Sequence, residues 1–323
     1  MVKNILLFGK SKPRTRTFFY FQRAFRALGH RVFWVKYAKW RSYLTSAGAF
    51  FASKAAFHFF RPDFLFLHAA DMPYELFAWA SERIPTAMYY DDCIRGSGKA
   101  LEKVVRFAKK ADLFYLTGEG ELPFYRQKGI QARFITGGVD PEYHRRVEEP
   151  EEFYQSEVAF IGRPNTPERV EFIRAIGERF QLKVYGSGWE KYGIQPTLRD
   201  VYAPEYQQIC GGAKVVLGWN IDNTVELYFS NRTWYTLGCG GVLLTQYSPG
   251  LERIFQRGLH LDWFTTLEEC IDRIEYYLQN PQACEVLREE GFRLAHEKYS
   301  FQELAKKILT DIQSLPSSRA RGE

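Results

Sequence analysis

Residues 157–186 read EVAFIGRPNTPERVEFIRAIGERFQLKVYG, and their order decides the fold. The apolar run ending in Gly162 is too short for a helix and suits a strand covered on both faces. PERVEFIRAIGERF then carries helical spacing, and LKVYG is a second short strand closing on Gly186. The same alternation continues through YQQICGGA (helix), KVVLGWN (strand), the stretch at 229–246 and LHLDWF. Toward the N-terminus it runs through the strands NILLFG, RVFWVKY, PDFLFLHA, PTAMYYDD, DLFYLT and ARFIT, with helical segments between most of them. Short buried strands alternating with helices predict parallel, doubly wound sheets. A Pro- and Glu-rich break near residue 150 divides the pattern into two Rossmann-like domains, 1–150 and 151–310, followed by a polar tail at 311–323. In such sheets ligands sit beyond the carboxyl ends of the strands, so two domains facing a central cleft would hold one between them.

The stretch FSNRTWYTLGCGGVLLTQ at 229–246 has the marks of a binding loop. Ser230 reads as a helix N-cap accepting from the N–H of Thr233, and the glycines around Cys239 read as the stop. A helix opening there aims N–H groups and about half a positive charge past Asn231, Arg232 and Thr233, which suits an anion.

The chain has 323 residues, enough for two cores, and its 46% hydrophobic and 25% charged content describes a soluble globular protein. Its five cysteines form no C-x-x-C pair, which argues against a zinc module or disulfide framework and fits a cytoplasmic setting. No signal peptide is expected, and SAGAFFASKAAFHFF, interrupted by Lys54 and His58, is shorter than a membrane span. The net charge of +6 hides an asymmetry. Residues 1–62 hold 13 Lys and Arg with no acid, while the remainder holds 31 basic and 38 acidic residues. Lys10, Lys12, Arg14 and Arg16 open a basic segment, residues 10–61, interleaved with aromatics that include Phe18, Phe19, Trp34 and Trp40. It suits an anionic membrane surface (peripheral attachment), an anionic polymer or nucleic acid, or forms a solvated face around an aromatic core.

VAFIGRPNTPER, VYGSGW, NRTWYTLGCGGVLLT and YYLQNPQACEVLREEGFRLAHEKYSFQELAKKIL together resemble the CgeB-like, spore-maturation type of glycosyltransferase, over residues 157–309. The resemblance implies a GT-B fold, with the acceptor on the first domain and a nucleotide-sugar donor on the second. It implies that Arg163, Arg169 and Arg232 meet the donor diphosphate. A cation in the first turn of a helix, as at Arg232, works against the helix dipole unless an anion is bound nearby. Gly186 and Gly188 would let backbone approach the nucleotide, and Asn220 would bond the donor or its sugar. Where the related pattern has a glutamate on the ribose, this chain has Tyr235. Either Tyr235 holds the ribose differently or Glu226 reaches in.

At the carboxyl ends of first-half strands, Asp91, Asp92 and His68 are candidates for a general base or an acceptor-hydroxyl partner. The alternative for the aspartates is a helix N-cap or strand-end turn. The expected activity is transfer of a sugar from a nucleotide-sugar, the donor being a substrate and no further cofactor or metal being called for. A GT-B epimerase or hydrolase, and a non-catalytic nucleotide-sugar-binding relative, are the alternatives.

Overall fold

The computed structural model describes residues 2–9, 17–93 and 98–316; Lys10, Lys12, Arg14 and Arg16 and the tail beyond 316 lie outside them. The chain divides into two compact units, residues 1–136 with 301–323, and residues 137–300.

In the first unit the elements run β1 (Asn4–Phe8), α1 (Thr17–Ala27), β2 (Arg31–Val35), α2 (Tyr37–Tyr43), α3 (Ser46–Phe60), β3 (Phe64–His68), α4 (Tyr74–Ser81), β4 (Thr86–Tyr90), α5 (Gly98–Ala108), β5 (Leu113–Leu116), α6 (Leu122–Gln127) and β6 (Ala132–Phe134). The second contains β7 (Ser156–Ile161), α7 (Pro167–Gly177), β8 (Leu182–Tyr185), α8 (Ala203–Gly212), β9 (Ala213–Gly218), α9 (Asn231–Gly238), β10 (Leu243–Gln246), β11 (Asp262–Phe264), α10 (Leu267–Gln279) and α11 (Pro281–Lys298). A last helix, α12 (Phe301–Gln313), returns to the first unit.

Both sheets are parallel, in the orders β2-β1-β3-β4-β5-β6 and β11-β10-β9-β7-β8. Fully buried runs such as Phe64–Leu67 and Val158–Phe160 explain why the strands are apolar throughout rather than alternating. The order reverses direction beside β1 and β3 in the first sheet and beside β7 and β9 in the second. At such switch points the connections leave in opposite directions and open a crevice at the carboxyl ends of the strands.

The bounds differ from the sequence reading at two places: the second unit begins at Gly137 rather than at residue 151, and it ends before α12. The expected second domain ran to residue 310, but α12 belongs to the first unit. Phe301 stacks on Tyr20 at 5.2 Å and meets Phe21 edge-on at 5.0 Å, both on α1. Tyr115 at β5 donates to Asp311 at 2.8 Å, and Arg133 at β6 pairs with the same carboxylate. Helical spacing announces that α12 has an apolar face but not which unit receives it.

Candidate active site

At the switch point of the second sheet, the loops after β7 and β9 are tied together by one side chain. Arg169, in the first turn of α7, is fully buried and donates to the carbonyls of Arg163 at 2.7 Å, Asn220 at 2.9 Å and Trp219 at 3.4 Å. Thr166 caps that helix by accepting from the Arg169 N–H at 3.3 Å. Beside it, Arg232 donates from Nη2 to the carbonyl of Trp219 at 3.2 Å. Among the described residues no carboxylate pairs with either guanidinium. Burial, and then the neighbouring Arg232, lower the pKa of Arg169 to about 10. Burial lowers that of Arg232 too, against the opposing effect of Tyr206 and Tyr228. A buried and a half-buried cation side by side, both held by carbonyls, leave a positive charge that an anion would neutralise.

Of the other residues expected to meet a donor, Ser230, Asn220 and Thr233 lie beside Arg232. Arg163 is exposed just after β7, also without a carboxylate partner. Ser230 is the N-cap of α9, with a corrected partner: its hydroxyl accepts from the N–H of Arg232 at 3.3 Å, while the N–H of Thr233 goes to the Ser230 carbonyl at 2.9 Å. Asn220 is buried and its amide is engaged, accepting from the Ser230 N–H at 2.8 Å and donating to Asn223 at 2.9 Å. It fixes the start of α9. Thr233 is buried behind that start, with Arg232, Tyr206, Gly218 and Trp219 around a small cavity. The Asn231 side chain lies against Gly137, where an added Cβ would fall 2.0 Å from its Oδ1.

Gly186 and Gly188 take positive φ of 123° and 99°. The close approach that Gly186 permits is to the chain itself, since a Cβ there would lie 2.2 Å from the Gly162 carbonyl oxygen. Tyr235 is half-buried and stacks on His144 at 4.3 Å with planes 9° apart. Burial, followed by His296, lowers the His144 pKa to about 3, so the ring facing Tyr235 is neutral. Glu226 pairs with Arg253 at 2.8 Å.

The first unit has its own cluster at the β1/β3 switch point. His68, at the end of β3, meets Asp91, just after β4, with Nε2 and Oδ1 2.9 Å apart, and Thr17 at the start of α1 donates to Asp91 Oδ2 at 3.0 Å. Phe18 stacks on the imidazole at 5.2 Å. Burial opposes the charge on His68, but the carboxylate outweighs it and raises the pKa; burial likewise opposes the charge on Asp91, and His68 with the Thr17 hydroxyl brings its pKa below the ordinary value. Asp92 is exposed and outside this pair. Of two adjacent aspartates, only Asp91 joins the histidine.

Residues 167–310 match a family model described as glycosyl transferase-like. No curated protein matches the chain by sequence. Among solved structures, sucrose-phosphate synthase from Thermosynechococcus elongatus is similar at TM-score 0.70 and 12% identity, over 96% of this chain and 98% of that one. HepE from Anabaena, in complex with UDP-glucose, is similar at TM-score 0.70 and 13% identity, over 97% of this chain and 100% of that one. An alpha-glucosyltransferase in complex with UDP and DNA is similar at TM-score 0.66 and 12% identity, over 98% of this chain and 100% of that one. The chain has the GT-B fold, and its residues 167–310 are glycosyltransferase-like. Of the three arginines that the sequence singles out, Arg169 and Arg232 meet at the Trp219 carbonyl, and Arg163 joins them through its backbone carbonyl. Sequence reasoning missed Gly162, Thr17, His144 and Tyr206. Gly162 had a visible signal, a glycine closing a buried strand; Thr17 and Tyr206 have partners far along the chain and carried none.

Proposed function

We propose that the protein is a CgeB-like glycosyltransferase that transfers a sugar from a UDP-sugar, with the donor diphosphate at Arg232 and Arg163 and at the N-terminus of α9. The observation that carries this reading is the pair of adjacent guanidinium groups, Arg169 fully buried and Arg232 half-buried, neither with a carboxylate among the described residues. Arg169, with its carbonyl bonds, holds the loops and adds charge, and Arg232, bonded once, contacts the phosphate. Preorganised cations and N–H groups stabilise the charge that develops on a leaving diphosphate. HepE in its complex with UDP-glucose, a protein of like fold, supports the choice of donor. Tyr235 bounds the nucleotide with the ring stacked on His144. In the first unit, His68, made more basic by Asp91, receives the proton of the acceptor hydroxyl. The acceptor is anionic or lies at an anionic surface, a reading supported by the acid-free first 62 residues.

Calorimetric titration with UDP and UDP-glucose tests the donor assignment. Arg232→Ala is expected to weaken both by about ten- to a hundredfold, the loss of one charged hydrogen bond worth about 1.5–3 kcal/mol, with the fold retained. Tyr235→Phe is expected to weaken UDP more than inorganic diphosphate. Unchanged affinity in Arg232→Ala would remove the assignment. Donor binding without transfer to any acceptor would favour the non-catalytic reading, which the replacement of the ribose glutamate by Tyr235 also supports.

A further inference from the structure

The helical hairpin beside the edge strand β2 is built in an unusual way for a soluble protein. α2 buries no residue, and the fifteen-residue α3 buries only Ala49 and Ser53. The exposed positions of α3 are Ser46, Ala47, Phe51, Ala55, His58 and Phe59, and four of them, Ala47, Phe51, Ala55 and Phe59, recur every four residues as an apolar stripe with His58 beside its end. Phe51 and Phe59 are 68% and 84% exposed, and they are roughly 12 Å apart along the helix axis. The end of α2 and the turn after it add Tyr43 and Leu44, 75% and 47% exposed.

The charged side chains of α2 and α3, Lys39, Arg41 and Lys54, are all basic. Lys39 and Arg41 lie on the exposed surface of α2, and among the described residues neither pairs with a carboxylate. The first acid in the chain, Asp63, is occupied by the backbone N–H groups of Lys3 and Asn4, at 2.7 and 2.9 Å. Cations beside protruding aromatics match a surface that is anionic outside and hydrocarbon beneath. A nucleic-acid duplex would use the cations but not a stripe of Phe and Ala, whereas a lipid bilayer uses both.

We propose that α2 and α3 form a docking surface for an anionic lipid bilayer, with Phe51 and Phe59 inserted below the headgroups and Lys39 and Arg41 at the phosphate level. None of the described helices is long and apolar enough to cross a membrane, so the contact is interfacial. This deepens the acceptor reading above by committing its anionic surface to lipid, which would bring the enzyme to an acceptor held there.

Flotation of the full chain with vesicles of phosphatidylcholine, alone or mixed with phosphatidylglycerol, tests it at low and near-physiological salt. The wild type is expected to float only with the anionic vesicles, and less at the higher salt. Lys39→Glu combined with Arg41→Glu is expected to reduce partitioning more than tenfold, since each basic side chain near such a surface is worth roughly fivefold. Phe51→Ser combined with Phe59→Ser is expected to abolish flotation at the higher salt. Both pairs are exposed, so the melting temperature and UDP-glucose affinity should stay those of the wild type, which separates failure here from failure of the donor assignment. Equal flotation of wild type and the Phe variant would overturn the proposal. So would tighter binding to single-stranded RNA than to the anionic vesicles. A concentration-dependent dimer lost in the Phe variant would assign the stripe to a second copy of the chain, and would also overturn it.

Discussion

Gly186 shows how a single position can matter to the donor loops without touching a ligand. Its φ of 123° is one that L-residues rarely adopt, and the space for a Cβ is taken by the Gly162 carbonyl oxygen at 2.2 Å. That carbonyl also accepts from Trp189 Nε1 at 2.8 Å, so it has little room to retreat. Gly186→Ala is expected to cost about 3 kcal/mol or more, combining backbone strain with a forced loop shift. Gly193→Ala, at φ 74° with no atom within 4 Å of an added Cβ, should cost only about 1 kcal/mol. Thermal melting of the two variants side by side checks this; equal losses would mean that the loop yields freely. From sequence, Gly186 and Gly188 read as a close approach to a nucleotide rather than to the chain itself, because the atom that makes Gly186 necessary belongs to a residue 24 positions away.

The ends of β3 and β4 are joined by the His68–Asp91 pair, and the pair makes their stability depend on pH. Asp91 has a lowered pKa in the fold, so its contribution is present above the ordinary carboxylate value of about 4 and fades as pH falls through the lowered one. His68 has a raised pKa, so its contribution is complete below about 6.5 and is lost as pH rises through the raised one. The first unit is therefore expected to be most strongly held between these limits. In Asp91→Asn the His68 imidazole should titrate at a lower pH, and the alkaline loss of stability should flatten. An NMR titration of the histidines reads the first and melting against pH the second; an unmoved His68 titration would remove the ion pair from the account. The strands themselves were legible, since buried parallel strands are continuous apolar runs, and so was Ser230 as the start of α9. What α9 caps with was not: the hydroxyl bonds the second N–H rather than the third, a choice made by local backbone angles. Nor could Arg169 be assigned as a strut between loops, because its carbonyl partners lie at 163 and at 219–220, and sequence spacing is blind to that meeting.

For the molecule as a whole, alternation of strand and helix made the two parallel sheets readable, whereas the chain path between units was not. Residues 137–300 are continuous, but the first unit is assembled from two separated pieces. Phe301→Ala, removing a buried ring stacked on Tyr20, is expected to destabilise the first unit by about 3–5 kcal/mol. Differential scanning calorimetry with and without UDP checks the location of the loss: a transition that UDP shifts should keep its midpoint, and a fall in that transition alone would place the effect in the wrong unit. The return of α12 also sets a timetable for synthesis. A ribosome adding about 5–20 residues per second needs roughly 9 to 36 seconds to pass from β6 to the end of α12. Through that interval the second unit can close as soon as its own residues emerge, while Tyr20 and Phe21 on the older half still await Phe301. The nascent chain thus finishes its later half first, and the aromatic face of α1 is the surface a chaperone would have to guard meanwhile.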